Sequence, residues 1–304
     1  MYRIGSSCMD LKEEGKGNRF VAMIDILGFK NLISNKSIDK VYEMLYALQS
    51  HSEYPGPTSI FLKRNNRRIS INVKLRSRVF SDTIFIWTAP IKLTNSNAPI
   101  FLQTLAESVS ELILWSLINM IPLRGGISYG STYISKQGEI IVGQAIIDAY
   151  MVESQQQWIG AALHPSCPTF GLENQIEMCL KKYHIPIKNT EIVKPIIAID
   201  WSKPCVDPLN WYSIVSQRKS KIPPHQIPKD ELKTSTLRLT RKIVLKRIET
   251  LKNLAKSNYD KEKYENARTF VLNQSDGMNG SPLDISRSFC MDVIIPQILK
   301  GTNT

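Results

Sequence analysis

Cysteine is scarce and scattered in this chain. The five present, Cys8, Cys167, Cys179, Cys205 and Cys290, are odd in number and form no CxxC pair. Spacing therefore indicates neither a zinc site nor a disulfide framework, and suits a reducing cytoplasm. Histidine is scarcer still: His51, His164, His184 and His225 lie far apart and read as surface or packing residues rather than ligands. No run of eighteen or more apolar residues occurs, which argues against a transmembrane helix. Residues 1–17 are polar and charged and lack the apolar core of a signal peptide. The expectation is a flexible lead at 1–17 and a cytoplasmic globular protein. Acidic residues are also short: 27 Asp and Glu against 39 Lys and Arg give a net charge of +12. Such a surface attracts polyanions, among them nucleic acid, anionic membrane and nucleoside triphosphate.

What is present is an ordinary folding composition, 42% hydrophobic and 22% charged, over 304 residues. Phe20 to Ile24 is a short apolar run closed by Asp25, a buried strand with an acid at its end. Ile38, Val41, Leu45 and Leu48 recur at helical spacing. Pro55, Gly56 and Pro57 mark a loop, and the polar stretch around Tyr54 to Arg68 reads as its continuation. Ile69, Ile71, Val73 and Leu75 alternate with polar residues as a half-exposed strand. Val79 to Trp87 is β-like but interrupted at Ser81-Asp82, which a hairpin turn explains. A long helix is expected over Phe101 to Met120, ended by Pro122. Leu123 to Tyr129 and Glu139 to Val142 read as strands, and Gly143 opens a helix to about Gln157. This order predicts an α+β fold with a ferredoxin-like, antiparallel sheet core. After His164-Pro165 the texture changes. Pro195 to Asp200 adds one strand, Ser216 to Asp230 reads as a proline-containing loop, and Leu237 to Ala255 and Asp260 to Leu272 read as helices. The expected organisation is a core at 18–165 and a largely helical extension at 166–304.

Asp25 and Asp82 carry the most chemistry. A carboxylate at the end of a buried strand sits at a sheet rim, and a hairpin beside that strand would bring Asp82 to it. Two carboxylates placed so repel, and a divalent cation resolves the repulsion while creating a phosphate-binding centre. In two-metal catalysis one ion activates an attacking oxygen and the other neutralises a triphosphate. Each residue also has a plain structural use, Asp25 as a helix cap and Asp82 as a turn former.

The segment FVAMIDILGF, Phe20 to Phe29, resembles the first metal motif of the class III nucleotidyl cyclases. VFSDTI, Val79 to Ile84, stands where that family has its second metal aspartate, there preceded by Gly rather than Ser. LRGGISYG, Leu123 to Gly130, is similar to the family's Arg-x-Gly-x-x-x-Gly strand, and Gly143 to Glu153 stands where its last catalytic helix begins. These motifs, with Ala149-Tyr150, Glu153 and Gln156 to Gly160, resemble most the bacterial Pycsar pyrimidine cyclases, over roughly residues 18–165. Lys263-Tyr264-Glu265-Asn266 extends the resemblance into the C-terminal portion.

The resemblance implies a pyrimidine cyclase that converts UTP to cyclic UMP and pyrophosphate, as the signal generator of an anti-phage system whose product is read by a separate effector. It implies two Mn²⁺ or Mg²⁺ ions held by Asp25, Asp82 and the carbonyl of Ile26. Backbone N–H groups of Leu27, Gly28 and Phe29 would meet the triphosphate. A head-to-tail homodimer with sites at its interface is implied too. In the family the last helix carries an Asn and, four residues on, an Arg; Ile147 and Met151 hold those places here. Arg76, Arg78 and Arg124 are the candidate substitutes, because a guanidinium suits phosphate oxygens. Tyr129, Tyr150 and Trp158 are candidates for narrowing a base pocket, Trp158 reading more as core.

Four other readings stay open: a cytidylate cyclase making cyclic CMP, a purine cyclase, an inactive cyclase fold that binds nucleotides, and a nucleic-acid binder resting on the basic helix. The purine reading lacks the Asn and Arg. The last lacks a zinc finger, an RNP aromatic pair or a GXXG loop, and no stable nucleic-acid or membrane partner is expected.

Overall fold

The computed structural model describes residues 14–53, 58–62, 67–71, 73–94, 97–168, 179–188, 197–202 and 229–273. Strand β1 (Gly15–Ile26) begins three residues inside the stretch expected as a lead. It is the central strand, paired antiparallel with β5 (Thr83–Thr88) on one side and β6 (Leu123–Ile134) on the other. Between them in the chain come α1 (Phe29–Asn35), α2 (Ile38–Ser52), a hairpin of β2 (Thr58–Leu62) with β3 (Arg67–Ile71), and β4 (Leu75–Phe80). The stretch read as a continuous loop around Tyr54 to Arg68 thus contains strands. Ile60 stands opposite Ile69, and the β-branched residues on both sides favour pairing over coil.

The sequence β1–α2–β4–β5–α3–β6, with α3 at Ala98–Ile118, and the strand order β4-β5-β1-β6 make the expected ferredoxin-like arrangement. The sheet is larger than that core. β7 (Ile141–Val142) pairs with β6, and β8 (Gly160–Leu163) joins β6 in parallel. β10 (Ile197–Ile199) then pairs with β8, and β9 (Leu180–Lys182) with β10. Part of the stretch expected as a helical extension therefore continues the sheet. Helices α5 (Lys229–Leu254) and α6 (Asn258–Leu272) follow. The loop expected at Ser216 to Asp230 falls almost wholly outside the described residues.

One sheet face carries Phe20, Ala22, Ile24, Ile84, Ile86 and Ile127, all fully buried in one core with α2 and α3. Val41, Met44 and Leu48 are the buried stripe of α2, whereas Ile38 is exposed. Helix α3 reaches the length and mean hydropathy of a membrane-spanning helix, and 72% of that stretch is buried inside the protein. Its apolar surface is matched by the sheet, α2 and α5. Helix α4 (Gln144–Gln155) covers part of the opposite face. The glycines of β6 make room for it: a Cβ at Gly126 would lie 2.1 Å from the Ala149 carbonyl oxygen. Cys179 is disulfide-bonded, contrary to the reading from spacing, and Cys167 is a free, buried thiol.

Candidate functional site

Residues directly opposite in a ladder share a sheet face. The register Phe80↔Thr83, Thr83↔Asp25 and Asp25↔Arg124 therefore places these four side chains in one row across β4, β5, β1 and β6. The next row on the same face is Arg78, Phe85, Met23 and Gly126. Helix α4 covers the β6 end of these rows, while Arg78 and Phe80 at the β4 end are exposed.

Asp82 reaches the first row through the turn between β4 and β5. The Ile26 N–H donates to the Asp82 carbonyl at 2.9 Å, which pins the turn to the end of β1. Ser81 in that turn has φ 56°, a conformation that favours glycine and costs a β-carbon-bearing residue about 1–2 kcal/mol. The structure thus brings Asp25 and Asp82 together, and their charges act on each other. Burial first, and Asp82 in addition, push the Asp25 carboxyl above its ordinary range, against the pull of Arg124.

Arg124 is committed to the protein. Its Nε donates to Glu153 Oε1 at 2.7 Å and its Nη1 to the Gln156 carbonyl at 3.0 Å, while Nη2 stands 3.5 Å from Asp25 Oδ2. Glu153 comes from the buried side of α4, and burial raises its carboxyl too. With this neighbour Arg124 orients Asp25 instead of presenting an open guanidinium. Glu153 could have been found in the sequence: it lies on the stripe Ala145, Ala149, Val152, where a charge demands a buried partner.

The N–H of Leu27, expected to meet phosphate, donates to the Pro122 carbonyl at 2.9 Å and is used there. Gly28 takes φ 76° at the start of α1, and the N–H groups of Gly28 and Phe29 open that helix, where the helix itself supplies no acceptor. Tyr129 sits on the far sheet face, its ring 4.9 Å from that of Phe20 and its hydroxyl donating to the Ile91 carbonyl. It lines a concavity of about 480 Å³ with Gly17 and Pro90, at the opposite end of β1 from Asp25. Trp158 is fully buried against Phe270 and Tyr183. Tyr150 and Ile147 lie exposed on the outer side of α4.

Among the described residues no three His, Cys, Asp or Glu side chains gather as a closed metal cage. Mg²⁺ needs no such cage, since one or two carboxylates, substrate phosphates and water complete its shell. Two mutually repelling carboxylates, one with a raised proton affinity, fit a divalent cation of that kind.

No protein-family model matches the chain, and no curated protein matches it. Twenty-five chains of solved structures are similar. One is the crystal structure of the catalytic core of a rhodopsin-guanylyl cyclase with converted specificity in complex with ATPαS, at 12% identity and a TM-score of 0.39, covering 61% of this chain and 95% of that one. At that identity and score, nothing about activity transfers from it to this chain.

Proposed function

We propose that this chain is a nucleoside triphosphate cyclase with Asp25 and Asp82 as its metal-binding pair. The observation that carries the reading is their meeting at one sheet rim: Asp25 at the end of β1, and Asp82 on a turn hydrogen-bonded to the next residue of that strand. Two Mn²⁺ or Mg²⁺ ions, held by these carboxylates and the Ile26 carbonyl, would supply charge neutralisation and acidify the ribose 3′-hydroxyl. Ring closure then requires that oxygen to lose its proton and attack the α-phosphorus while the bond to pyrophosphate breaks. Arg124, itself held by Glu153, keeps Asp25 oriented. The N–H groups of Gly28 and Phe29 and the exposed Arg78 are among the groups that could meet phosphate here.

The finer reading is a pyrimidine cyclase acting on UTP in the cytoplasm, working as a homodimer and making cyclic UMP for a separate effector in phage defence. It rests on the resemblance of DILGF, FSDTI and RGGISYG. The open, partly apolar half of the site face, with Phe80 exposed, suits pairing of two copies. A second reading, a nucleotide-binding fold without turnover, draws on Ile147 and Met151, which can neither bond a ribose nor neutralise a phosphate.

The test is incubation of purified protein with Mn²⁺ and each of the four nucleoside triphosphates, products resolved by chromatography and mass, with Asp82→Ala alongside. Cyclic UMP from the wild type alone is the expected result. Cyclic CMP or a purine product would keep the mechanism and replace the substrate. Binding without any cyclic product would favour the second reading.

A further inference from the structure

The segment Glu153 to Trp158, which leaves α4 and enters β8, anchors Arg124, Lys188 and helix α6. The Gln156 carbonyl accepts from Arg124 at 3.0 Å. The Gln155 carbonyl accepts from the Lys188 N–H at 2.8 Å, and the Ser154 carbonyl from Lys188 Nζ at 2.7 Å. The Gln157 carbonyl accepts from Asn266 Nδ2 on α6 at 2.7 Å, and Gln157 Nε2 donates back to the Tyr259 carbonyl at 3.1 Å. Phe270, one helical turn further on, packs edge-on to Trp158 with ring centroids 4.9 Å apart. Helix α6 is thereby seated with its first half beside the Asp25 end of the sheet, and Lys263 is on that half.

The two lysines are near the carboxylates without being used up by them. Lys188 and Lys263 both act electrostatically on Asp25. Yet the ion pair of Lys263 is with Asp260 on its own helix, at 2.9 Å and over the Tyr259 ring, and the Nζ of Lys188 meets a neutral carbonyl. In these contacts neither ammonium is paired with Asp25 or Glu153. Burial first, and the neighbouring Arg124 in addition, pull the Lys188 ammonium below its ordinary value, against the pull of Glu153 and Asp25. Ile147 and Met151 on α4 bring no charge to a phosphate, and Arg124 is held by Glu153 and the Gln156 carbonyl.

We propose that Lys188 and Lys263, supplied by the segments that follow the core, form a cation pair that binds the polyphosphate of the substrate, so that α6 is part of the site. This deepens the cyclase reading and rests on it for the identity of the substrate. An ammonium binds phosphate as a point charge with three rotatable donors.

Inorganic tripolyphosphate is the probe, titrated calorimetrically into the full-length chain with Mn²⁺ present. The variants are Lys188→Met, Lys263→Met, the double variant, and Lys252→Met as a control in the same helical pair. Each single substitution is expected to weaken binding roughly tenfold, the loss of one charge-assisted contact, and the double variant by roughly a hundredfold. The control should bind as the wild type does, and all four should melt at the wild-type temperature without ligand. Equal affinity in wild type and double variant would overturn the proposal. So would an equal loss in Lys252→Met, which would reduce the effect to net charge. If Lys263→Met does not fold, Lys263→Arg keeps the charge, and restored binding decides the matter. Tripolyphosphate binding lost in the double variant, in a protein that cyclises no nucleotide, would leave this inference standing and remove the cyclase reading. Cyclisation with undiminished tripolyphosphate binding in the double variant would do the reverse.

Discussion

The sheet face under α2 and α3 is a sealed apolar layer in which Phe20, Ile24, Ile84, Leu105 and Leu112 are all fully buried. The face under α4, by contrast, pairs glycines with charge: Gly126 and Gly130 admit the helix, and Arg124, Glu153 and Asp25 meet beside it. Alternate residues of a single strand build both, Ile24 facing one side and Asp25 the other. One face contributes stability by removing apolar area from water, while the other keeps buried carboxylates at a cost. Shifted, buried carboxylates of this kind cluster at functional sites.

The most severe test of the contrast is to make the second face like the first. Gly126→Val would place a β-carbon 2.1 Å from the Ala149 carbonyl oxygen, with backbone and not a flexible side chain in the way. Helix α4 must then lift off, and the expected outcome is loss of cooperative unfolding, read by circular dichroism melting. Gly126→Ala adds that β-carbon alone and should show the same effect in weaker form.

A matched pair of substitutions comes next. Leu112→Ala, in the apolar layer, should cost about 2–5 kcal/mol by cavity formation and leave the turnover of the folded fraction intact. Asp25→Asn should do the opposite, abolishing product while raising the melting temperature of the metal-free protein. The folded-state pKa of Asp25 lies above its unfolded value, so its ionised form costs stability above that folded pKa. The advantage of the Asn variant is therefore present at neutral pH and fades as pH falls toward the ordinary carboxylate value. Parallel urea titrations at about pH 7 and at about pH 4, close to the ordinary carboxylate value, check the sign. An Asn variant less stable than wild type at neutral pH would contradict it.

The smallest effect concerns the turn that carries Asp82. Ser81→Gly relieves the φ 56° conformation and should stabilise by about 0.5–1 kcal/mol with turnover unchanged. Chemical denaturation midpoints resolve a difference of that size.

Much of this was readable from residue order. The alternation and apolar runs of β1, β4, β5 and β6, with the helical stripe of α3, were enough for the ferredoxin-like core, because strand and helix periods are local properties of the chain. Asp25 and Asp82 stood out because each interrupts an apolar pattern. The hairpin of β2 with β3 was hidden because Pro55 to Pro57 before it and the polar Lys63 to Asn66 between its strands read together as one loop. Strand β8 is four residues long, too short for any period to register.

Residue order alone specifies the elements of the core and the two carboxylates at their ends, since those follow from periodicity and from the cost of burying an acid. The part played by each cation comes instead from three-dimensional packing. That packing joins Arg124 to Glu153, 29 residues away, and seats α6 so that Lys263 acts on Asp25 from the far end of the chain. Leu27 loses its expected role in the same way, its N–H taken by Pro122. Partners of this kind are set by how helices dock on a sheet, and docking depends on side-chain shape across long separations that no local pattern encodes.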